Sequence, residues 1–140
     1  MARNDEIINM KLSIIIVSFN TRDVLRTCLE SLFSHYGKEL QRKEFEITVV
    51  DNGSQDQTQE MMRKNFPKVK LIQNTHNAGF AKANNQGVKN ITSDYVLFLN
   101  PDTVVPANTL TEILTYLDEH PHVGIATCKV LLPNGTIDDA

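Results

Sequence analysis

The 140-residue sequence contains no tryptophan, only two cysteines and only 6% aromatic residues, and its charges are close to balanced. A formal net charge of −3 gives no general attraction to nucleic acid or to an anionic membrane. No apolar run approaches the ~18 residues that span a bilayer, and the polar N-terminus lacks the apolar core of a signal peptide. The cysteines, Cys28 and Cys128, lie far apart. They indicate neither a disulfide framework nor a metal-binding motif, so we expect a reducing, cytoplasmic location.

Strand and helix patterns alternate along the chain. Apolar or β-branched runs predict strands at residues 12–17, 45–50, 69–72, 95–99 and 122–132. Helical spacing predicts a first helix at residues 21–36 and a last helix over residues 110–117. A second helix is predicted to begin at a capping box formed by Ser54 and Gln57 and to end before Pro67. A third is predicted to begin at Asn77. Residues 37–43 are predicted to form a loop. Alternation of this kind is typical of βαβ units, so we predict an α/β fold with a parallel sheet.

Polar segments follow four of the predicted strands. The apolar run 95–99, typical of a strand buried on both faces, is followed by Asn100, Pro101 and Asp102. The other three segments are 18–21, 51–54 and 74–80. Because ligands bind beyond the carboxyl ends of parallel strands, we expect the four segments to form one site.

The last predicted strand leads into a tight turn at Pro133–Thr136, where Asn134-Gly135 is a strong hairpin signal. Only residues 137–140 follow, so we expect the sequence to stop within a hairpin. The uncovered strand would then favour a homo-oligomer that pairs through it.

Four ordered motifs make the sequence resemble the N-terminal half of family 2 glycosyltransferases, in particular the rhamnosyltransferase-like branch. They are Ser18-Phe19-Asn20-Thr21, Val50-Asp51-Asn52-Gly53-Ser54, the segment Asn77–Gly87, and Leu99-Asn100-Pro101-Asp102. The resemblance covers about residues 11–138. It implies the GT-A-type, Rossmann-like three-layer α/β/α sandwich with a mostly parallel sheet, truncated after the fifth strand. Residues 1–10 would be a flexible lead-in and residues 11–140 the nucleotide-sugar-binding half.

The resemblance also implies a function. We expect a UDP- or dTDP-sugar donor and inverting transfer to a glycan or lipid-linked acceptor in cell-surface polysaccharide synthesis, in the cytoplasm at the inner face of the membrane. We expect neither a nucleic-acid partner nor a transmembrane segment.

Asp102 would bind Mg²⁺ or Mn²⁺, because these cations prefer oxygen ligands and often combine one or two carboxylates with substrate phosphates. Asn100 stands where the fuller family motif has its first acid, which leaves a single carboxylate and weaker metal binding without the diphosphate. The alternative interpretation of Asn100–Asp102 is a turn with a solvated acid.

Asp51 would accept a hydrogen bond from N3–H of uracil or thymine, since a carboxylate is an acceptor only; alternatively it is a turn residue. Ser18 and Asn20 would line the nucleoside pocket, although Asn20 could instead cap the first helix. Asn52 is assigned to the same binding site.

Two residues of the segment Asn77–Gly87 are assigned to the diphosphate. Gly79 would let the backbone approach the ligand near a helix N-terminus, and Lys82 would neutralise part of the charge; the alternative for Lys82 is a solvated surface residue.

The resemblance places the catalytic base and the acceptor pocket in the C-terminal half of such proteins. We therefore assign no catalytic base and expect these 140 residues alone not to transfer sugar. The alternative function is a non-catalytic nucleotide-sugar- or partner-binding module. A phospho-receiver domain would need an acidic pair after the first strand, and a dinucleotide enzyme would need Gly-x-Gly-x-x-Gly there; the sequence has neither.

Overall fold

The structure is a computed structural model that describes residues 10–138. The predicted lead-in therefore lies outside the described residues except for Met10. The elements in chain order are β1 (Leu12–Ser18), α1 (Arg22–Gln41), β2 (Phe45–Asp51), α2 (Thr58–Asn65), β3 (Lys70–Gln73), α3 (Phe80–Gly87), β4 (Tyr95–Leu99) and α4 (Thr109–Glu119). The chain divides into two compact units, one ending at Val105 and the other beginning at Pro106.

The four strands form one parallel sheet of order β3-β2-β1-β4. The register places Ser18 beside Asp51 and Asp51 beside Gln73. On the other side of β1, Leu99 pairs with Ile16. All four strands therefore deliver their following loops to one edge of the sheet, which confirms the predicted α/β fold with a parallel sheet.

Helices cover the sheet on its two faces. Ala83 of α3 packs against Val17 and Val50 on one face. Side chains alternate between the two faces along a strand, so Phe45, five residues before Val50 in β2, points to the opposite face. There its ring lies 5.9 Å from the ring of Tyr36 in α1. α2 packs beside α1, and together these layers form the expected α/β/α sandwich.

The prediction that β4 is buried on both faces was wrong. Val96 is 41% exposed and Phe98 is 56% exposed. Phe98 pairs with Ile15, so these two side chains share the face that α3 covers at β1 and β2. β4 is at the edge of the sheet, and α3 does not extend over it.

The predicted fifth strand at residues 122–132 was also wrong. This segment has almost no regular secondary structure and is mostly exposed, and Ile125 is 92% exposed. A strand requires a ladder of backbone partners. In the part of the chain that the structure describes, this segment has only an isolated antiparallel bridge between Leu131 and Ile137. The bridge confirms the predicted turn at Pro133–Thr136. The strand through which we expected two copies of the chain to pair is not formed at residues 122–132.

Helix α1 extends beyond its predicted end. It continues to Gln41, so the predicted loop at residues 37–43 was wrong for most of its length. Tyr36 has non-helical φ and ψ of −125° and 23°, which kinks the helix where the apolar pattern stops. Tyr36 is buried, and the residues after it, such as Lys38 and Glu39, are good helix formers.

The second unit is built around α4, whose Leu110 and Leu114 are buried as the helical spacing predicts. Its C-terminal end carries a stack of Tyr116 on His120, with ring centroids 4.1 Å apart. Within residues 10–138, no helix combines the length and the apolar composition needed to cross a membrane.

Gly87 lets α3 approach β1 closely. A Cβ atom there would lie 2.4 Å from Cγ2 of Ile15. We therefore expect Gly87→Ala to lower the free energy of unfolding by about 1–3 kcal/mol, the usual cost of overpacking. Adding Ile15→Leu, which removes Cγ2, should recover part of that loss in denaturant unfolding.

Gly37→Ala is the matched control, because a Cβ on this helical glycine would meet nothing within 4 Å. An equal loss of stability at positions 37 and 87 would contradict the steric explanation.

Candidate functional site

The loops that follow β1 and β2 are cross-linked by hydrogen bonds. The N–H of Asn20 donates to Oγ of Ser54 at 2.9 Å, and Oδ1 of Asn20 accepts from the N–H of Gln55 at 2.8 Å. The N–H of Asn52 donates to the carbonyl oxygen of Ser18 at 2.8 Å. The side chain of Asn20 is thus already bonded to the neighbouring loop, and the backbone of Ser18 is bonded likewise.

The carboxylate of Asp56 caps two helices at once. Its Oδ2 accepts from the N–H of Arg22 at 2.8 Å, while Oδ1 accepts from Oγ1 of Thr58 at 2.6 Å and from the N–H of Thr58 at 3.2 Å. Burial opposes ionisation, but these hydrogen bonds outweigh it and lower the pKa of Asp56. The predicted capping box of Ser54 and Gln57 was wrong, because Gln57 precedes the helix with a left-handed φ of 66° and caps nothing with its side chain.

The side-chain amide of Asn52 joins the end of β2 to the loop that follows β3. Its Oδ1 accepts from Nδ2 of Asn74 at 3.0 Å and from the N–H of Ala78 at 2.9 Å. Its Nδ2 donates to Oδ1 of Asn77 at 2.8 Å, and that oxygen also accepts from the N–H of Gly79 at 2.9 Å. Asn52 is only 2% exposed. Its donor and acceptor are therefore used to shape this loop.

Two further contacts fix the same loop. Gly53 has a φ of +86°, and a Cβ there would lie 2.8 Å from the backbone of His76, so only glycine fits this close approach. Asn74 and Gln86 exchange two amide hydrogen bonds at 2.8 and 3.0 Å, which tie the loop to α3. Lys82 is exposed on the first turn of α3, and its ammonium group has no hydrogen-bond or ion-pair partner among residues 10–138.

Asp51 is the most unusual member of the site. The residue is fully buried, and its Oδ2 accepts from Nε2 of Gln59 at 2.7 Å. Its Oδ1 is buried as well and has no hydrogen-bond partner among the described residues. Buried acceptors are nearly always hydrogen-bonded, so an unpaired carboxylate oxygen indicates either a cost in stability or a ligand.

The segment after β4 forms the turn that the alternative interpretation of Asn100–Asp102 predicts. The N–H of Thr103 donates to the carbonyl oxygen of Asn100 at 3.3 Å. The side chains of Asn100 and Asp102 are both exposed, and the Asp102 carboxylate has no hydrogen bond within the described part of the chain. A turn of this kind leaves both oxygen-bearing side chains free to bind a ligand.

This turn is anchored to α1. Oγ of Ser31 accepts from the N–H of Val105 at 3.0 Å, and Sγ of Cys28 lies 3.9 Å from the carbonyl oxygen of Asn100. Burial, and secondarily the charge of Asp102, raises the pKa of the Cys28 thiol to about 12. Cys28 is therefore a neutral packing residue at physiological pH, as its helical spacing predicts.

The predicted site residues fall into two groups along one edge of the sheet. One group is joined by hydrogen bonds through the three loops after β1, β2 and β3, and comprises Ser18, Asn20, Asp51, Asn52 and Gly79. The other group is exposed and lacks hydrogen-bonded contact with the first among the described residues; it comprises Lys82, Asn100 and Asp102.

Sequence reasoning missed two residues that build the site, namely Asp56 and Gln59. The Asp-x-Thr spacing of Asp56 and Thr58 is a capping signal that could have identified the first. No local pattern indicates Gln59, because it acts on a residue from a different element. Asn74 lies in the predicted segment 74–80, but its bonds to Asn52 and Gln86 were not predicted.

Comparisons with known proteins agree with the fold described above. The sequence profile of the family described as "Glycosyl transferase family 2" matches residues 13–132. The poly(ribitol-phosphate) beta-N-acetylglucosaminyltransferase TarS of Staphylococcus aureus is 30% identical over 129 residues, which are 90% of this chain and 22% of TarS. The uncharacterized glycosyltransferase YibD of Escherichia coli is 34% identical over 122 residues, 85% of this chain and 33% of YibD.

Two solved structures have a similar fold. The mannosyltransferase PcManGT of Pyrobaculum calidifontis, in complex with GDP-Man and Mn²⁺, gives a TM-score of 0.75 at 25% identity, covering 90% of this chain and 37% of that one. Residues 1–349 of S. aureus TarS, in complex with UDP-GlcNAc, give a TM-score of 0.70 at 27% identity. The match covers 90% of this chain and 42% of that one.

An α/β/α sandwich with its polar loops at the carboxyl edge of a parallel sheet defines a class of nucleotide-binding folds. Within that class, this chain belongs to glycosyltransferase family 2. It spans about a fifth to a third of the length of the curated relatives described above.

Replacing Asn52 by aspartate would test the role of its amide. Asn52→Asp keeps the acceptor for Ala78 but sets an oxygen against Oδ1 of Asn77 and buries a charge, so we expect a loss of about 1–3 kcal/mol in the free energy of unfolding at pH 7. The introduced carboxyl regains a donor when it is protonated. The loss should therefore shrink as the pH falls toward the ordinary pKa of aspartic acid, about 3.9.

Asn85→Asp, on the exposed part of α3, is the control and should change stability little at either pH. A loss at position 52 that does not depend on pH would argue against the amide network.

Proposed function

We propose that this chain is the donor-binding part of a glycosyltransferase that uses a UDP- or dTDP-sugar. It would take part in inverting hexosyl or rhamnosyl transfer to a glycan or lipid-linked acceptor in cell-surface polysaccharide synthesis. Membership of family 2 supports the class of activity, and the rhamnosyltransferase-like motifs suggest the sugar. The observation that carries the proposal is the unpaired, buried Oδ1 of Asp51.

Asp51 would recognise the base. A carboxylate only accepts hydrogen bonds, and uracil and thymine offer N3–H as a donor, whereas cytosine has an acceptor at N3. A donor from the base would complete the hydrogen bonding of Oδ1, which otherwise stays unpaired at a cost. Since Oδ1 is covered by protein atoms, a base can reach it only when the side chains that cover it move aside.

The diphosphate would lie toward Lys82 and the start of α3. The side chain of Lys82 is exposed and unpaired among the described residues, so its charge is available to an anion. Gly79 precedes the helix with a φ of 89°, and a Cβ there would meet nothing within 4 Å, which leaves room for a ligand beside the backbone.

Asp102 and Asn100 would hold Mg²⁺ or Mn²⁺. Their exposed oxygens have the chemistry these cations prefer. Within residues 10–138 no three His, Cys, Asp or Glu side chains come together as metal ligands would. The described residues therefore supply too few ligands by themselves, and the phosphates of the donor would complete the coordination. When bound, the cation would neutralise charge on the leaving diphosphate.

By the family resemblance, other parts of the proposed enzyme would supply the acceptor pocket and the carboxylate base, and the enzyme would work in the cytoplasm at the inner face of the membrane. This proposal follows from the family resemblance and from two cysteines that form no disulfide in the described structure.

The base preference can be measured by calorimetric titration of this chain with UDP, dTDP, GDP and CDP in the presence of Mn²⁺. One well-placed hydrogen bond to a charged group contributes roughly 1.5–3 kcal/mol, so UDP and dTDP should bind about tenfold or more tightly than CDP. Asp51→Asn offers the base both a donor and an acceptor and should remove most of this preference.

Asp118→Asn, on the exposed side of α4, is the control and should keep the wild-type preference. If CDP binds the wild-type chain as tightly as UDP does, Asp51 does not read the base.

The metal role of Asp102 can be tested by repeating the UDP titration with Mn²⁺ and with EDTA. Asp102→Asn keeps the shape and removes the charge, so UDP affinity in Mn²⁺ should fall by about tenfold or more, a loss typical of disturbed metal sites. In EDTA the variant and the wild type should bind UDP about equally. Equal affinities in Mn²⁺ would refute the assignment.

A further inference from the structure

The Asp51 carboxylate has two oxygens in unlike surroundings. Oδ2 accepts a hydrogen bond of 2.7 Å from Nε2 of Gln59, and Oδ1 has no partner among the described residues although it is buried. The plane of an Asp carboxylate can rotate about χ2. A donor fixed on one oxygen holds this plane in one orientation and leaves the other oxygen available in a defined direction.

Gln59 is held where it can do this. It is the second residue of α2, whose first residue, Thr58, is fully buried. Thr58 donates to Oδ1 of Asp56 through both its hydroxyl and its backbone N–H, and the same Asp56 carboxylate accepts from the first N–H of α1. The start of α2 is thereby tied to α1, and the backbone of Gln59 has little freedom.

The chemistry of a glutamine suits this position. A neutral amide donates one hydrogen bond to the carboxylate without cancelling its charge, whereas a lysine or arginine would form an ion pair and compete with a ligand. The charge of Asp51 thus remains available for a hydrogen bond through Oδ1. In addition, the carbonyl oxygen of Asp51 accepts from the N–H of Asn74 at 2.8 Å, so its backbone is fixed as well.

We propose that Gln59 is the positioning residue that orients Asp51, so that Oδ1 alone faces the base and the site prefers a base with an N3–H donor over cytosine. The inference rests on the proposed function, since it assigns Gln59 a part in base recognition at Asp51. Gln59 acts through Asp51 and has no contact with the sugar or the diphosphate in this assignment.

The test compares UDP and CDP binding to the wild-type chain, Gln59→Leu and Gln59→Glu in Mn²⁺. Gln59→Leu removes the donor, so the carboxylate can rotate; we expect UDP to bind about fivefold to tenfold more weakly and the preference for UDP over CDP to fall with it. Gln41→Leu, the same substitution at the exposed end of α1, should change neither quantity.

Gln59→Glu separates positioning from a loss of folding. When two carboxyl groups lie in one site, one of them keeps its proton to a higher pH than an isolated carboxyl group does. Near pH 5 the introduced acid can donate to Oδ2 as the amide does, and it should restore UDP binding toward the wild-type level. Near pH 8 both groups are ionised and repel, and binding should be weaker by about tenfold, as for a like-charge pair. Asp56, Glu60 and Arg63, the charged neighbours of Gln59 in the sequence, are the same in the variant and the wild-type chain. The pH dependence of UDP binding to the wild-type chain is therefore the control.

The outcomes distinguish the two proposals. If the wild-type chain prefers UDP and both Gln59 variants keep that preference at each pH, the positioning role is overturned while the proposed function stands. If the wild-type chain binds no nucleotide, the proposed function fails and the role of Gln59 fails with it. Rescue of Gln59→Glu at low pH, together with reduced selectivity of Gln59→Leu, would establish the positioning role.

Discussion

The rest of the described site depends on the hydrogen bonds of one buried amide, the side chain of Asn52. It supplies a donor and an acceptor where the loop after β3 returns to the end of β2, and it holds Asn74, Asn77 and Ala78 in place. A hydrophobic side chain could fill the same space but could not satisfy those groups. Through Asn74 the same network reaches Gln86, so the position of α3 on the sheet depends on it too.

A second constraint is the close packing that lets these loops meet. Gly53 passes the backbone of His76 at a distance that excludes a side chain, and Gly87 lets α3 lie against Ile15. Parallel strands place their carboxyl ends at one edge, but this alone would leave the loops several ångströms apart. Glycines where the backbones approach, together with the amide hydrogen bonds between the loops, bring the loop ends into contact with one another.

The two groups of site residues differ in a way that suits the proposed ligand. The group around Asp51 is cross-linked by hydrogen bonds between the loops, and Ser18, Asp51 and Asn52 within it are buried. The loops are therefore held in place, and in the proposed function the side chains that cover Oδ1 of Asp51 move aside for a base. The side chains of Lys82, Asn100 and Asp102 are exposed. In the proposed function, the charges of Lys82 and Asp102 would gain partners from a diphosphate and a cation. Asp51 itself departs from the rule that buried carboxylate oxygens are paired, and departures of this kind concentrate at functional sites.

Much of the fold could be predicted from the sequence because it depends on short-range patterns. The apolar runs of β1 and β2 and the spacing of α1 and α4 reflect local burial, and the four loop motifs follow strands whose ends a parallel sheet brings together. The candidate site was predicted in the same way, since Asp51 is the last residue of β2 and Asp102 lies in the turn that follows β4.

What only the tertiary structure decided depends on partners that are distant in the chain. The exposure of Val96 and Phe98 depends on where α3 ends over the sheet, and the absence of a strand at residues 122–132 depends on the lack of a ladder partner within the described residues. Asn52 binds Ala78, 26 residues away, and Gln59 reaches Asp51 from another element. Hydropathy patterns record whether a side chain is buried but not which group it meets, so the hydrogen bonds that shape the site could be read only from the folded chain.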